Sequence, residues 1–178
     1  MKHNKFGFTL VELLIVIALL GALAVGLLAA LDPFEQLKKG TDTGVRNTAS
    51  EIHGSVIRYY AIKGYMPWCS DAGTCGHLDS TKLSDTSMES MITKIAAAGE
   101  LKTNFIELAT AYADKIYISG EGTSTLDQKV VVCFMPQAKS FRADPNTIYD
   151  ANGDLHEAAG DCKGHDAIDG DDCYWCIM

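Results

Sequence analysis

The chain has 178 residues and a formal charge of −8, with 15 Lys plus Arg against 23 Asp plus Glu. That length allows one modest globular domain and an accessory segment. The acidic balance argues against a generic ligand for nucleic acid or anionic head groups, and no motif gives direct evidence for nucleic acid. The apolar residues are unevenly placed. Residues 8–31 read FTLVELLIVIALLGALAVGLLAAL, and their one charge is Glu12. At about 1.5 Å per residue this run makes a helix roughly 36 Å long, enough to cross the hydrocarbon core of a bilayer. A domain of the remaining size could hardly enclose a helix apolar on every side, which disfavours a buried core helix.

Residues 1–7 carry Lys2 and Lys5 and no acid. Basic residues ahead of an apolar span hold that end in the cytoplasm, so the chain beyond Leu31 is expected outside. A secretory signal would be cut after its apolar stretch, at small residues such as Ala29-Ala30. The junction Lys5-Phe6-Gly7-Phe8-Thr9-Leu10-Val11-Glu12 argues for a different processing event. Glycine, phenylalanine, a small hydroxyl residue, two aliphatics and then glutamate resemble the type IV prepilin signature, shared by pilins and type II secretion pseudopilins. The resemblance covers about the first thirty residues.

It implies cleavage between Gly7 and Phe8 by a prepilin peptidase at the cytoplasmic face, methylation of the new Phe8 amine, and retention of the apolar helix. A mature chain without Lys2 and Lys5 is more acidic still. A carboxylate in an apolar helix is costly unless it has a partner. The first turn after Phe8 suits Glu12, because the positive end of the helix dipole favours an acid there. The resemblance assigns Glu12 to pairing with the N-terminal amine of a neighbouring subunit; a glutamate snorkelling to the interface is the plainer alternative. Implied partners are further copies or other pilins, the peptidase, an inner-membrane assembly platform and the membrane itself. The implied location is the cytoplasmic membrane with the head outside, then an extracellular or periplasmic filament.

Asp32-Pro33-Phe34-Glu35 marks a boundary. Proline suits the first position of a new helix, with Asp32 as N-cap and Glu35 placed to complete a capping box. One long helix kinked at Pro33 is the alternative. Pilins often carry a proline inside the apolar segment and partly melt there on assembly. Here Pro33 follows the apolar run and Gly21 and Gly26 lie within it, so the place of any melting stays open. In residues 32–63, Val45, Ala49, Ile52, Val56 and Tyr59 form one apolar stripe at spacings of 4 and 3. Gly40, Gly44 and Gly54 weaken this helix on its own, so packing must hold it.

Residues 64–178 are expected to form the head. Gly64-Tyr65-Met66-Pro67-Trp68 ends the helix. Residues 88–98 read as a helix, with Met88, Met91, Ile92 and Ile95 on one face, and residues 105–113 as a second. Residues 115–118 and 129–134 read as two strands of an antiparallel pair on which the long helix packs. The expected fold is α+β: a long N-terminal helix, half transmembrane and half amphipathic, on a small antiparallel sheet, with a disulfide-stapled, loop-rich C-terminal region.

Six cysteines, Cys69, Cys75, Cys133, Cys162, Cys173 and Cys176, lie in the segment expected to be exported, which favours disulfides. Cys69 and Cys75 bracket a short turn-rich loop and are expected to pair, leaving Cys133 to tether the tail through Cys162, Cys173 or Cys176. The rival is zinc, because Cys162-x-x-His165 and Cys173-x-x-Cys176 have suitable donors and steps. A redox-active CxxC lacks the surrounding thioredoxin-like pattern.

Asp150, Asn152 and Asp154 place oxygen side chains at alternate positions, with Asp161 twelfth from Asp150, in part an EF-hand pattern. Leu155 stands where that loop needs glycine. Asn152-Gly153 equally reads as a tight turn capped by aspartates. Asp166, Asp169, Asp171 and Asp172 are further candidates for a calcium site, and resemblance to major pseudopilins adds a C-terminal calcium loop to the expectations.

No nucleophile motif, phosphate loop or acid/base pair suggests an enzyme, and His53 and His77 read as isolated surface or helix residues. The reading favoured is a structural filament subunit. The alternatives are a monomeric membrane-anchored binding protein, metal-binding in one version, and an exported metal or redox domain.

Overall fold

The computed structural model describes residues 7–30, 32–71, 73–122, 129–156 and 173–178, without the side chains of residues 29 and 30. The chain divides into two compact units, residues 1–37 and 38–178. The first holds α1 (Leu10–Ala30) and the opening turn of α2 (Pro33–Lys63). Two helices are therefore assigned where the sequence left a kinked single helix open. The Asp32 carboxylate caps α2, accepting the amides of Phe34 at 3.2 Å and Glu35 at 3.3 Å. These are donors that the first helical turn cannot satisfy internally.

The second unit is the α+β head. After the body of α2 come β1 (Leu78–Lys82), α3 (Thr86–Ala97), α4 (Phe105–Ala109), β2 (Ile116–Glu121) and β3 (Lys129–Phe134). α5 (Lys139–Arg142), β4 (Thr147–Tyr149) and β5 (Tyr174–Ile177) follow among the described residues. The five strands form one antiparallel sheet in the order β1-β2-β3-β5-β4.

The helical stripe behaves as its spacing predicts: Val45, Ala49, Ile52, Val56 and Tyr59 are all buried. They share a core with Met88, Met91, Ile92 and Ile95 of α3 and with Ile116, Ile118, Val130, Val132, Phe134 and Trp175 of the sheet. Strand alternation sends Val131, Cys133 and Cys176 to the opposite face, with Tyr117, Tyr149 and Tyr174. Gly44 lets α2 come close to the residues after α4. A Cβ there would stand 2.6 Å from the Tyr112 hydroxyl, so the glycine that weakens the isolated helix permits its packing. Gly64 and Gly99 follow α2 and α3 with φ of +74° and +82°, the left-handed stop that glycine adopts most readily.

One expectation is corrected. The helix expected over residues 105–113 ends at Ala109, where the Thr110 hydroxyl bonds back to the carbonyls of Ile106 and Glu107. The Tyr112 amide then donates to the Ala109 carbonyl three residues back, so the chain tightens toward a 3₁₀ turn at Ala113–Lys115 instead of extending the α-helix. The C-terminal region adds a strand that the sequence does not announce. β5 lies inside the sheet between β3 and β4, although its four residues are too few to show a strand period.

Candidate functional site

The first candidate is the start of α1. Helix begins at Leu10, so Thr9 stands at the cap and Glu12 in the first turn. The Glu12 Oε2 accepts the Thr9 amide and the Thr9 hydroxyl, each at 2.8 Å, while Thr9 Oγ1 accepts the Glu12 amide at 3.2 Å. This is a reciprocal capping box built on a T-x-x-E sequence. Thr9 was legible as a cap from that four-residue pattern, yet the sequence reading took it only as a small hydroxyl residue. The geometry aims the carboxylate at the N-terminal end of the helix, beside Phe8, which is 82% exposed. From Leu10 to Leu28 the helix is long and apolar enough to span a membrane, and none of that window is buried.

The second candidate is the cysteine set. Cys69 is bonded to Cys75, and Cys133 to Cys176, which stand directly opposite on β3 and β5. Cys173 is disulfide-bonded as well. Sulfurs held in disulfides are not thiolate ligands, so Cys173 and Cys176 do not supply the zinc half-site that their spacing suggested. Cys162 and His165 lie outside the described residues. The Cys69–Cys75 loop sits on the end of β2: a Cβ on Gly120 would meet the Trp68 ring, and one on Gly122 the Cys75 sulfur. Lys94 ties the start of this loop to α3 through the carbonyls of Pro67 and Cys69.

The third candidate is the acidic turn. Asp150 Oδ1 accepts the amides of Asn152 at 2.8 Å and Asp154 at 3.0 Å, and Oδ2 takes the Asn152 side-chain amide at 3.3 Å. Gly153 has φ +85°, and its Cα lies so close to Val131 that a Cβ would clash. The hydroxyls of Ser80 and Ser119 donate to the carbonyls of Ala151 and Asn152. The turn is thus folded onto the outer face of β1, β2 and β3. The Asp150 carboxylate caps the turn by accepting the loop's own donors. Asp161, Asp166, Asp169, Asp171 and Asp172 lie outside the described residues. Among the described residues, no group of three or more His, Cys, Asp or Glu is placed to hold a metal ion.

Of His53 and His77, the second contacts Glu121 at 3.0 Å and Asp79 at 3.4 Å on the rim of a cavity of about 350 Å³. Exposed ion pairs of this kind contribute little. His53 is half-buried on α2, and its Nε2 has no partner among the described residues. A groove of about 500 Å³ runs between α3 and α4 over Ile92, Ala96 and Ile106.

Among the described residues one buried side chain is ionisable as a carboxylate, and its local sequence gives no sign of burial. Asp42 is 2% exposed on α2, and its Oδ2 accepts the amides of Gln137 at 2.9 Å and Ala138 at 2.7 Å. It ties the helix to the segment after β3, which nothing in the local pattern announces.

Residues 2–28 match a family model described as the prokaryotic N-terminal methylation motif. No curated protein and no solved structure matches the chain. Proteins with this motif are structural and generally non-enzymatic, and the motif implies pilin self-assembly and prepilin-peptidase processing in general terms. The exposed apolar helix within that segment fits membrane insertion ahead of a surface or periplasmic filament. With Gly7-Phe8 and Glu12 inside the matched segment, the chain carries the prepilin-type N-terminal signature of type IV pilins and pseudopilins.

Proposed function

We propose that this chain is a structural subunit of a type IV pilus or pilus-like filament. A prepilin peptidase cuts it after Gly7 and methylates Phe8, and it then assembles through α1. The observation that carries this reading is the Glu12 carboxylate, held in the first turn of an otherwise uncharged, fully exposed helix. A charge so placed is expensive in an apolar surround and calls for a partner. In the isolated chain the partner is Thr9. In a filament the cationic N-terminus of a neighbouring subunit replaces it and fixes the axial step between subunits. The capping box serves the carboxylate until that exchange.

The test is Glu12→Ala. The variant is expected to insert and to be processed after Gly7, as mass spectrometry of the mature N-terminus reads, and to be largely lost from sheared filaments. Incorporation at the wild-type level would refute the pairing role. A wild-type chain that cross-links to no copy of itself or other pilin would instead support the membrane-anchored monomer.

A further inference from the structure

Among the described residues outside α1 and the residues before it, the two most exposed large apolar side chains are Phe34 at 73% and Leu37 at 69%. They stand three apart on α2 and so share one face of its first turns. The first apolar core residue on that helix is Val45, so both belong to a stretch that precedes the head's core. We infer that Phe34 and Leu37 are an interfacial anchor, lying at the boundary between lipid head groups and acyl chains on the outer face of the membrane. The inference rests on the membrane-inserted precursor proposed above and adds where α2 begins relative to the lipid.

Depth is set by the neighbouring residues. The apolar run ends at Leu31, and Asp32 follows with its carboxylate on the amides of Phe34 and Glu35. An ionised cap and an interrupted helix are not tolerated in exposed hydrocarbon, so Asp32 belongs in the head-group layer. Phe34 lies two residues further, at most about 7 Å of extended chain. The interfacial layer is roughly 5–8 Å thick on each side, which keeps the ring within it. Aromatic side chains concentrate at that depth. Lys38 and Lys39 come next in sequence, where ammonium groups suit the lipid phosphates. A second copy of the chain is the competing occupant, but continuity with the spanning helix favours lipid.

The experiment uses the full chain in phospholipid vesicles and compares Phe34→Trp with Val16→Trp. The emission that each new tryptophan adds to that of Trp68 and Trp175 is the readout. Phe34→Trp is expected to lose most emission to lipid brominated high on the acyl chain, and Val16→Trp to lipid brominated near the chain end. If Val16→Trp is quenched and Phe34→Trp is untouched by either lipid but open to aqueous iodide, the anchor is refuted while membrane insertion stands. If Phe34→Trp is shielded from iodide and from both lipids, a second copy covers it, and the inference is again overturned. If Val16→Trp is unquenched too, the membrane-inserted reading itself fails.

Discussion

Replacing Asp42 separates what its charge does from what its oxygen does. Asp42 Oδ2 is the acceptor for two backbone donors, one of them on Ala138, itself 1% exposed. Asp42→Ala removes that acceptor. The buried Ala138 amide loses its partner outright, whereas the amide of exposed Gln137 can turn to water. A stranded buried donor costs about 1–3 kcal/mol and a bond to a charged group contributes about 1.5–3, so a loss of about 2–4 kcal/mol is expected. Asp42→Asn keeps an sp² oxygen in place and removes a buried charge, so it should lie close to wild type. The pH dependence then gives a sign. Burial pushes the Asp42 carboxyl above the usual carboxylate range, against the opposing pull of the Ala138 and Gln137 amides and the charges of Lys115 and Arg142. A folded-state pKa above the unfolded value means the contribution is fully present at low pH and lost as pH rises through the folded pKa. Asp42→Asn, which does not titrate, should match wild type in acid and gain on it toward neutrality. Melting of the full chain in detergent, followed by near-ultraviolet circular dichroism from pH 4 to 7, measures both effects. An Asn variant as unstable as Ala at every pH, or a gap from wild type that ignores pH, would refute the reasoning.

Further outcomes follow from the same contacts. Burial pushes the His53 imidazole below its ordinary value, so its contribution is present above about pH 6.5 and lost as pH falls through the folded pKa. His53→Gln should remove that acid-side loss in the same melting series, and an unchanged slope would count against it. Cys133 and Cys176 close a loop with a sequence separation of 43, so replacing both by serine should cost about 4 kcal/mol by chain entropy, read by urea titration under oxidising conditions. A cost near zero would mean that β5 holds its place in the sheet without the bond. Asp150→Ala should lower the melting temperature equally with calcium and with EDTA, because the carboxylate serves the amides of Asn152 and Asp154. A loss seen only with calcium would assign Asp150 to a cation instead.

Local patterns that carry their own physics were legible in the sequence. A run of apolar residues around one acid has few fates, and Gly7-Phe8 with Glu12 narrows them to one signature. The 4-and-3 spacing of Val45, Ala49, Ile52, Val56 and Tyr59 determines a buried face whatever it packs against, and the short run of β-branched and aromatic residues at 129–134 reads as a strand. The short distance between Cys69 and Cys75 made that pairing the natural one. What depended on residues far apart in the chain was decided only by the tertiary structure. Cys133 had three possible partners until the β3–β5 register set Cys176 opposite it. Tyr174-Trp175-Cys176-Ile177 became an interior strand because neighbours on both sides satisfied its backbone, not because four residues show a period. Asp42 on a helix surface looks solvated until the amides of Gln137 and Ala138 arrive from nearly a hundred residues away. Gly44 reads as a weakness until Tyr112 occupies the space a side chain would need. Periodicity and capping are properties of neighbours in sequence, so the chain alone determined its longer helices, the β2–β3 pair and its N-terminal signature. Register, disulfide partners and buried polar ties are properties of neighbours in space, and the folded head decided those.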